Sequence, residues 1–199
     1  MNNTSLAHSR RTRNNIPHNS PDKCMYEYLA PRGLGPEDAR RAGLTYIDAK
    51  TAGVHGFLPA HQGIVIPYFH PFTGKLLPTR RIRYLNPPTV EGKPRRYSQL
   101  KSTPVEAYFA LGVDWKKILA DPNVPLHIVE GEIKALAAIK HGFITVGLGG
   151  VYSFGGEMLT PLLREVNWKG RNVYICFDSD AVGNNDVMRA EHKLATVLS

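Results

Sequence analysis

The sequence predicts an α/β protein in which a parallel sheet flanked by helices follows a smaller, basic α+β subdomain. Beyond a proline-rich stretch at residues 121–125, short apolar runs alternate with helical segments, and this alternation is typical of βαβ units and a parallel sheet. Before that stretch, two strand-like runs are joined by a turn, which predicts a hairpin. With 42% hydrophobic residues among 199, the chain can bury a substantial core.

The positive charge of the chain lies in its first part. Residues 1–125 contain 18 Lys and Arg against 9 Asp and Glu, a net of +9, whereas residues 126–199 contain 7 against 8, a net of −1. A basic part beside an acidic part indicates that a polyanion is held on one side and that chemistry is done on the other. The alternative is a basic surface that only aids solubility.

The N-terminal segment and the two cysteines indicate the compartment. Residues 1–22 are polar and basic, so we expect a disordered leader there. No apolar run approaches the roughly 20 residues that a membrane span needs, and the N-terminus lacks the apolar stretch of a secretory signal, so we expect a cytoplasmic protein without a membrane partner. Cys24 and Cys176 are too few for a disulfide framework or a zinc ribbon. Cys176 falls in a predicted core strand, where we expect it to be buried.

Residues 23–124 are predicted to form the basic N-terminal subdomain. Its first clear helix signal has Pro36 at the start, acids in the first turn and Gly43 just past the end, the usual order of residues along a helix. The hairpin has a turn rich in Pro and Gly between two apolar runs. In chain order, we predict a helix over residues 35–43, strands over 63–69 and 75–85 around a turn at 70–74, and a helix over 104–111.

The second strand of the hairpin opens a strongly basic segment that runs to residue 101. Only one acid, Glu91, interrupts it, and Tyr84 and Tyr97 are interleaved with the cations. Mixed basic and aromatic side chains suit a nucleic-acid backbone and its bases, although a solvated hairpin face is the alternative. The predicted nucleic-acid or nucleotide contacts of this segment are Arg80, Arg81, Arg83, Lys93, Arg95, Arg96, Tyr97 and Lys101.

Residues 125–199 are predicted to form the parallel-sheet domain. Its strands are rich in β-branched and aromatic residues, and Gly142 ends its first helix. In chain order, we predict a strand over residues 126–129, a helix over 132–141, a strand over 143–147, a helix over 157–166, a strand over 172–178 and a helix over 185–198.

Acidic side chains follow two of these strands. Glu130 comes directly after the first strand, and Asp178 and Asp180 come at the end of the third. Because ligands bind beyond the carboxyl ends of parallel strands, the three carboxylates are expected to meet at one edge of the sheet. Clustered carboxylates repel one another, and a hard divalent cation such as Mg²⁺ relieves that repulsion. We therefore predict Glu130, Asp178 and Asp180 as the metal-binding and catalytic residues.

At the start of the helix after Glu130, the sequence leaves the roles of Glu132 and Lys134 open. Gly131 allows a tight turn out of the strand. Glu132 is either functional or a helix-capping acid that favours the dipole. Lys134 lies one turn on from Glu130, where it can neutralise that carboxylate, contact phosphate or simply be solvated.

A glycine-rich turn follows the middle strand of the predicted sheet. Gly147, Gly149 and Gly150 are candidates for a loop whose backbone amides approach a phosphate, and a flexible connection is the alternative. The glycine spacing differs from that of a dinucleotide-binding fingerprint, and no helix follows at once.

These motifs together resemble the TOPRIM domain of DnaG-type primases, topoisomerases, OLD-type nucleases and recombination proteins. The resemblance covers roughly residues 26–199 and looks closest to the primase-like proteins of plasmids, phages and integrated elements. The segments that carry it are residues 129–131 (Val-Glu-Gly), 147–150 (Gly-Leu-Gly-Gly) and 177–183, with residues 28–34, 63–68 and 95–100 upstream.

The resemblance implies a basic subdomain that guides single-stranded template past a metal site. In that pattern Glu130, Asp178 and Asp180 match the acidic metal ligands, while Arg95, Arg96 and Lys101 fall in the region that contacts template or nucleotide. The chain departs from the pattern in three ways. It has no zinc module, it carries Lys134 where cellular primases usually have an acid, and it is expected to be truncated because TOPRIM domains continue with a further strand and helix.

Three functions follow as hypotheses. The first is a primase-like nucleotidyltransferase core that uses Mg²⁺ or Mn²⁺, single-stranded DNA and nucleoside triphosphates in the replication of a mobile element, with a replicative helicase as a further partner. The second is a metal-dependent nuclease that uses the same acids. The third is a non-catalytic nucleic-acid-binding module.

Overall fold

The fold contains an antiparallel sheet and a parallel sheet joined by short helices. The computed structural model describes residues 22–178 and 185–199. Its helices are α1 (Lys23–Leu29), α2 (Pro36–Arg41), α3 (Trp115–Ala120), α4 (Glu132–Lys140), α5 (Pro161–Arg164) and α6 (Asn185–Leu198), with a 3₁₀ turn at Ala30–Arg32. Its strands are β1 (Thr45–Ile47), β2 (Gly63–Phe69), β3 (Leu76–Tyr84), β4 (Thr89–Val90), β5 (Lys93–Pro94), β6 (Tyr97–Gln99), β7 (Leu126–Glu130), β8 (Thr145–Leu148) and β9 (Val173–Cys176).

The antiparallel sheet has the strand order β1-β2-β3-β6. The predicted hairpin is confirmed as β2 and β3, in register at Ile66 opposite Arg81 and Val65 opposite Ile82. Successive side chains of a strand point to opposite faces, so β3 directs Ile82 into a core cluster with Tyr84 and Arg81 to the other face. The strands β4 and β5 form a separate two-stranded ribbon.

The predicted parallel sheet is confirmed, with the order β8-β7-β9. β7 lies in the centre, and Ile128 is opposite Val146 on one side and Ile175 on the other. α4 connects β7 to β8, and α6 begins and ends where the sequence predicts it. The carboxyl ends of β7 and β9 therefore lie side by side.

The two sheets share a hydrophobic core. Ile64, Ile66 and Tyr68 of the antiparallel sheet pack in the same buried cluster as Ile133 and Leu136 of α4. The residues on either side of the predicted boundary at residues 124–125 thus bury one another. This packing fixes the basic sheet against the edge of the parallel sheet.

The prediction of a helix over residues 104–111 is wrong. This segment contains no helix, and Tyr108 exchanges two backbone hydrogen bonds with Gly147 of β8, at 2.8 and 3.0 Å. Residues 106–110 are all buried, so the segment has no polar face for a surface helix to present to water. Pairing with a strand that lies far along the chain outweighs the weak local helix preference.

The helix predicted over residues 157–166 is a single turn in the structure, Pro161–Arg164. Pro161 occupies the first turn, where a missing N–H costs nothing. The proline ring also disfavours helical backbone at the residue before it. Thr160 has a non-helical ψ of 156°, so the helix begins at Pro161 and not at residue 157.

The expectation that Cys176 is buried is also wrong. Both cysteines are exposed, and Tyr174 of the same strand is 52% exposed. Successive side chains of a strand point to opposite faces of the sheet, and Tyr174 and Cys176 share the exposed face of β9. Its alternate residues Val173 and Ile175 pack against the core.

Some expectations fall outside the described residues. Residues 1–21 of the expected leader and Asp180 are among them. Within the described ranges, no helix is long and apolar enough to cross a membrane.

Candidate active site

The carboxyl ends of β7 and β9 open into a cavity of about 560 Å³ that also reaches the basic face of the antiparallel sheet. Acidic, basic and aromatic side chains line it together. The polar and aromatic residues of its wall are Tyr28, Arg32, Arg81, Arg83, Arg96, Tyr97, Glu130, Glu132, Lys134 and Asp178.

Glu130 reaches the cavity as the last residue of β7. The next residue, Gly131, has φ +97°, a left-handed conformation that side chains with a Cβ rarely adopt. Its N–H donates to the carbonyl oxygen of Leu148 at 2.7 Å. The chain therefore turns from strand to helix without an intervening loop, and Glu130 stays at the sheet edge.

Asp178 reaches the same cavity from the next strand. It follows β9 by two residues and is exposed, and the ammonium of Lys134 contacts its carboxylate. The structure thus brings Glu130 and Asp178 together as predicted, while Asp180 lies outside the described residues. Lys134 pairs with Asp178.

The donor set in the cavity fits a hard divalent cation in part. No group of three or more His, Cys, Asp or Glu that could hold a metal occurs in the described part of the chain. Mg²⁺ nevertheless binds through one or two carboxylates, water and substrate phosphates. Glu130 and Asp178 supply two such carboxylates. The Lys134 ammonium, which contacts Asp178, would repel a cation there.

Glu132 has a structural role that the sequence left open. It is completely buried, and its Oε1 accepts hydrogen bonds from Arg81 Nη1 at 2.5 Å and from the Tyr68 hydroxyl at 2.6 Å. Burial, together with the adjacent carboxylate, raises the pKa of Tyr68 well above its ordinary value. Glu132 therefore ties the start of α4 to the antiparallel sheet.

Arginine and tyrosine side chains alternate along the basic wall of the cavity. The guanidinium of Arg83 lies between two rings, 5.1 Å from the centroid of Tyr28 and 4.9 Å from that of Tyr97. Arg32 covers Tyr28 at 3.8 Å, and Arg81 lies 5.0 Å from Tyr97. Burial raises the pKa of Tyr97. These cation–π contacts hold the guanidinium groups in fixed orientations.

The predicted basic residues divide between two cavities. Arg81, Arg83, Arg96, Tyr97 and Lys134 line the first. Arg95 and Lys101 line a second cavity of about 530 Å³, to which Tyr97 also contributes. Arg80 and Lys93 are exposed and line neither.

Sequence reasoning missed Tyr28 and Arg32. They stand one helical turn apart, and the Arg32 guanidinium donates to the Tyr28 carbonyl oxygen. Their position in the primase-like segment 28–34 was a usable signal. Their distance in sequence from the other basic residues concealed it.

Two of the three candidate glycines in and after β8 lie in close packing contacts. A Cβ on Gly147 would lie 3.3 Å from Ala135 Cβ and 3.4 Å from Glu132 Cα, so this glycine lets α4 pack closely on β8. A Cβ on Gly149 would collide with the Arg81 guanidinium. At Gly150 the nearest contact would be an ordinary 3.5 Å to Ser153. Of the three, Gly149 lines the cavity with the acidic residues.

Comparisons with known proteins give a family match and a fold. Residues 114–199 match a family described as a domain of unknown function, DUF3854. No curated protein matches the chain. The structure of the DnaG catalytic core aligns with a TM-score of 0.56 at 17% identity, over 87% of this chain and 61% of that one.

The chain has the fold of the DnaG catalytic core. A second structure, the DnaG primase catalytic domain bound to single-stranded DNA, aligns with a TM-score of 0.53 at 16% identity, over 88% of this chain and 62% of that one. The chain spans about three fifths of the length of these structures. The primase-like fold predicted from the motifs is confirmed.

Proposed function

We propose that the chain is a primase-like nucleotidyltransferase core that extends a primer along single-stranded DNA. The observation that carries this proposal is the shared cavity, in which carboxylates at two strand ends face arginines from the basic sheet. Phosphoryl transfer requires mainly positioning and charge stabilisation. Anionic oxygens for a cation and guanidinium groups for phosphates are the two parts that this chemistry needs.

The acidic side of the cavity would hold the cation. Glu130 and Asp178, with Asp180 from outside the described residues, would bind Mg²⁺ or Mn²⁺, and the ion would offset charge on the transferring phosphates. The carboxylates themselves position the ion at the sheet edge. Lys134 lies beside them and can donate to a phosphate oxygen.

The basic side of the cavity would hold the nucleotide. Arg32, Arg83 and Arg96 present guanidinium groups that suit bidentate contacts with phosphate oxygens. Tyr28 and Tyr97 keep Arg83 oriented before substrate arrives. A preoriented cation loses less entropy on binding than a mobile one.

The exposed part of the basic segment would hold the template. Arg80, Lys93, Arg95 and Lys101 are exposed, and Arg95 and Lys101 share a cavity with Tyr97, a combination that suits a phosphate backbone with stacked bases. The single-stranded DNA bound to the similar DnaG domain supports this part of the proposal.

We further propose a cytoplasmic role in replication of a mobile element, with a helicase as partner.

The test is primer synthesis on single-stranded DNA with labelled nucleotides and Mn²⁺. Glu130→Gln and Asp178→Asn should each abolish synthesis, because each removes a charged ligand while keeping its shape. Glu157→Gln, which alters an exposed acid away from the cavity, should leave synthesis unchanged. Full synthesis by both cavity variants would refute the proposal.

The same assay distinguishes the nuclease hypothesis from the binding-module hypothesis. DNA shortened by the protein and Mn²⁺ without nucleotides would identify a nuclease. Salt-dependent DNA binding with no turnover under either condition would identify a binding module.

A further inference from the structure

Lys134 pairs with a carboxylate of the proposed metal site. It lies in the first turn of α4, four residues after Glu130, and its ammonium contacts Asp178, which follows β9. The two side chains are 50% and 51% exposed at the wall of the cavity. The contact therefore joins the edges of two neighbouring strands at the place where a cation would bind.

A second lysine on the same helix shows how this pair differs from an ordinary surface ion pair. Lys140 donates to Asp38 at 2.6 Å and to the Gly33 carbonyl oxygen at 2.7 Å, so it joins α4 to α2. It lies outside the cavity. Lys134 instead uses the carboxylate oxygens that a divalent cation would need.

The charges at the edge of the cavity determine how strongly a divalent cation is attracted there. Glu130 and Asp178 are both acidic, and Lys134 offsets the charge of Asp178. A divalent cation is then attracted less strongly to the nucleotide-free protein, and it must displace an ammonium from Asp178. A nucleoside triphosphate brings both new oxygen ligands for the cation and a new anionic partner for the lysine.

We propose that Lys134 is a built-in counter-ion that disfavours metal binding to the empty site and makes the metal and the nucleotide bind cooperatively. This inference rests on the proposed function, since it assumes that Glu130 and Asp178 hold the cation. Lys134 acts as a positioning residue that occupies Asp178 until a phosphate draws the ammonium away. Coupling of this kind is reciprocal, so the metal raises nucleotide affinity by the same factor.

The test is Mn²⁺ binding to the full chain, followed by electron paramagnetic resonance of the free ion. Lys134→Met removes the ammonium and keeps an unbranched apolar stem of similar length, and it should raise Mn²⁺ affinity without nucleotide on the order of tenfold, because one adjacent unit charge is lost. Lys134→Arg keeps the charge and should stay near the wild-type affinity. Lys140→Met is the matched control on the same helix and should leave the Mn²⁺ affinity unchanged, because Lys140 lies outside the cavity.

A second measurement repeats the titration with a non-hydrolysable nucleoside triphosphate. The analogue should raise Mn²⁺ affinity more in the wild type than in Lys134→Met, because only the wild type must free Asp178. Unchanged or weaker Mn²⁺ binding by a folded Lys134→Met protein would overturn the inference. So would equal gains from the methionine and the arginine variants.

The Asp178→Asn variant distinguishes failure of the proposed metal site from failure of the counter-ion role of Lys134. Asp178→Asn should lose Mn²⁺ binding if the metal site is correct. Wild-type affinity in Asp178→Asn would refute the metal site and, with it, the role of Lys134. Loss of binding in Asp178→Asn combined with no effect of Lys134→Met would refute the counter-ion alone.

Discussion

The position of Glu132 is explained by the local sequence, but its role depends on residues that are distant in the sequence. An acid in the first turn of a helix is favoured by the dipole, and Glu132 stands there. Its burial depends on Arg81 and Tyr68, which reach it from the antiparallel sheet. A buried carboxylate is tolerated because its charge is paired and hydrogen-bonded.

Removing this charge should destabilise the fold strongly. Glu132→Gln leaves the Arg81 cation in the interior without its counter-charge, and we expect a loss of about 3 to 5 kcal/mol in the free energy of unfolding. Urea denaturation followed by circular dichroism measures the loss. Glu37→Gln, which breaks the exposed pair with Arg40, should cost less than about 1 kcal/mol. Equal losses in the two variants would contradict the buried role of Glu132.

Gly149 provides a second test at the scale of one residue. A methyl group there collides with the Arg81 guanidinium, which is held in place by the buried Glu132, so Gly149→Ala should weaken that pair and destabilise the fold by about 1 kcal/mol. Gly150→Ala meets only an ordinary contact and is the matched control. A Gly149→Ala protein that keeps its stability in urea and loses only nucleotide binding would support the phosphate-loop role instead.

At the scale of elements, Asp38 joins α2 to the end of α4. Its Oδ2 accepts from the Gly35 N–H at 2.7 Å and from Lys140 Nζ at 2.6 Å. Burial acts to raise the pKa of Asp38, but the Gly35 N–H and the Lys140 ammonium outweigh it and hold the pKa below 3.8. The ionised carboxylate is therefore the form that the fold stabilises.

The stability that Asp38 contributes should depend on pH in a defined direction. Because the folded pKa is depressed, this contribution is present above pH 3.8 and is lost as the pH falls through the folded pKa. Asp38→Asn should cost about 1 kcal/mol at pH 7 and progressively less toward pH 2. Urea midpoints of both proteins across this range measure it. A deficit that stays constant down to pH 2 would contradict the assignment.

Elements defined by local signals were predictable, and those defined by distant pairing were not. Pro36 and the turn at residues 70–74 fixed α2 and the β2–β3 hairpin within a few residues. Residues 104–111 carry an apolar pattern that a helix or a buried extended segment can satisfy. The non-helical conformation is favoured because Tyr108 pairs with the backbone of Gly147 in β8.

At the scale of the whole molecule, the arrangement of the two sheets creates the mixed-charge cavity. Neither sheet contains both the carboxylates and the arginines, and the shared core holds them together. Single-stranded DNA binding should therefore be strongly salt-dependent, since phosphate contacts release counterions. The acidic edge would take no part in that electrostatic attraction.

Single charge removals should change the salt dependence locally. Lys101→Ala should weaken binding of a single-stranded oligonucleotide and reduce the magnitude of the slope of log K against log salt concentration by about 0.7. Lys169→Ala removes an exposed cation away from the template surface and should leave the slope unchanged. Fluorescence anisotropy at several salt concentrations measures both. Identical slopes for the two variants would place the DNA elsewhere.

The sequence by itself determined the strand ends that carry Glu130 and Asp178, the basic segment and the α/β architecture, because alternation, glycine placement and charge are local properties. Tertiary structure alone decided that Lys134 meets Asp178 and that Arg81 meets Glu132, residues 44 and 51 positions apart. It also brought Arg32 to the cavity. Contacts between residues so far apart depend on how the two sheets pack, and no local pattern encodes the partner of a charged side chain.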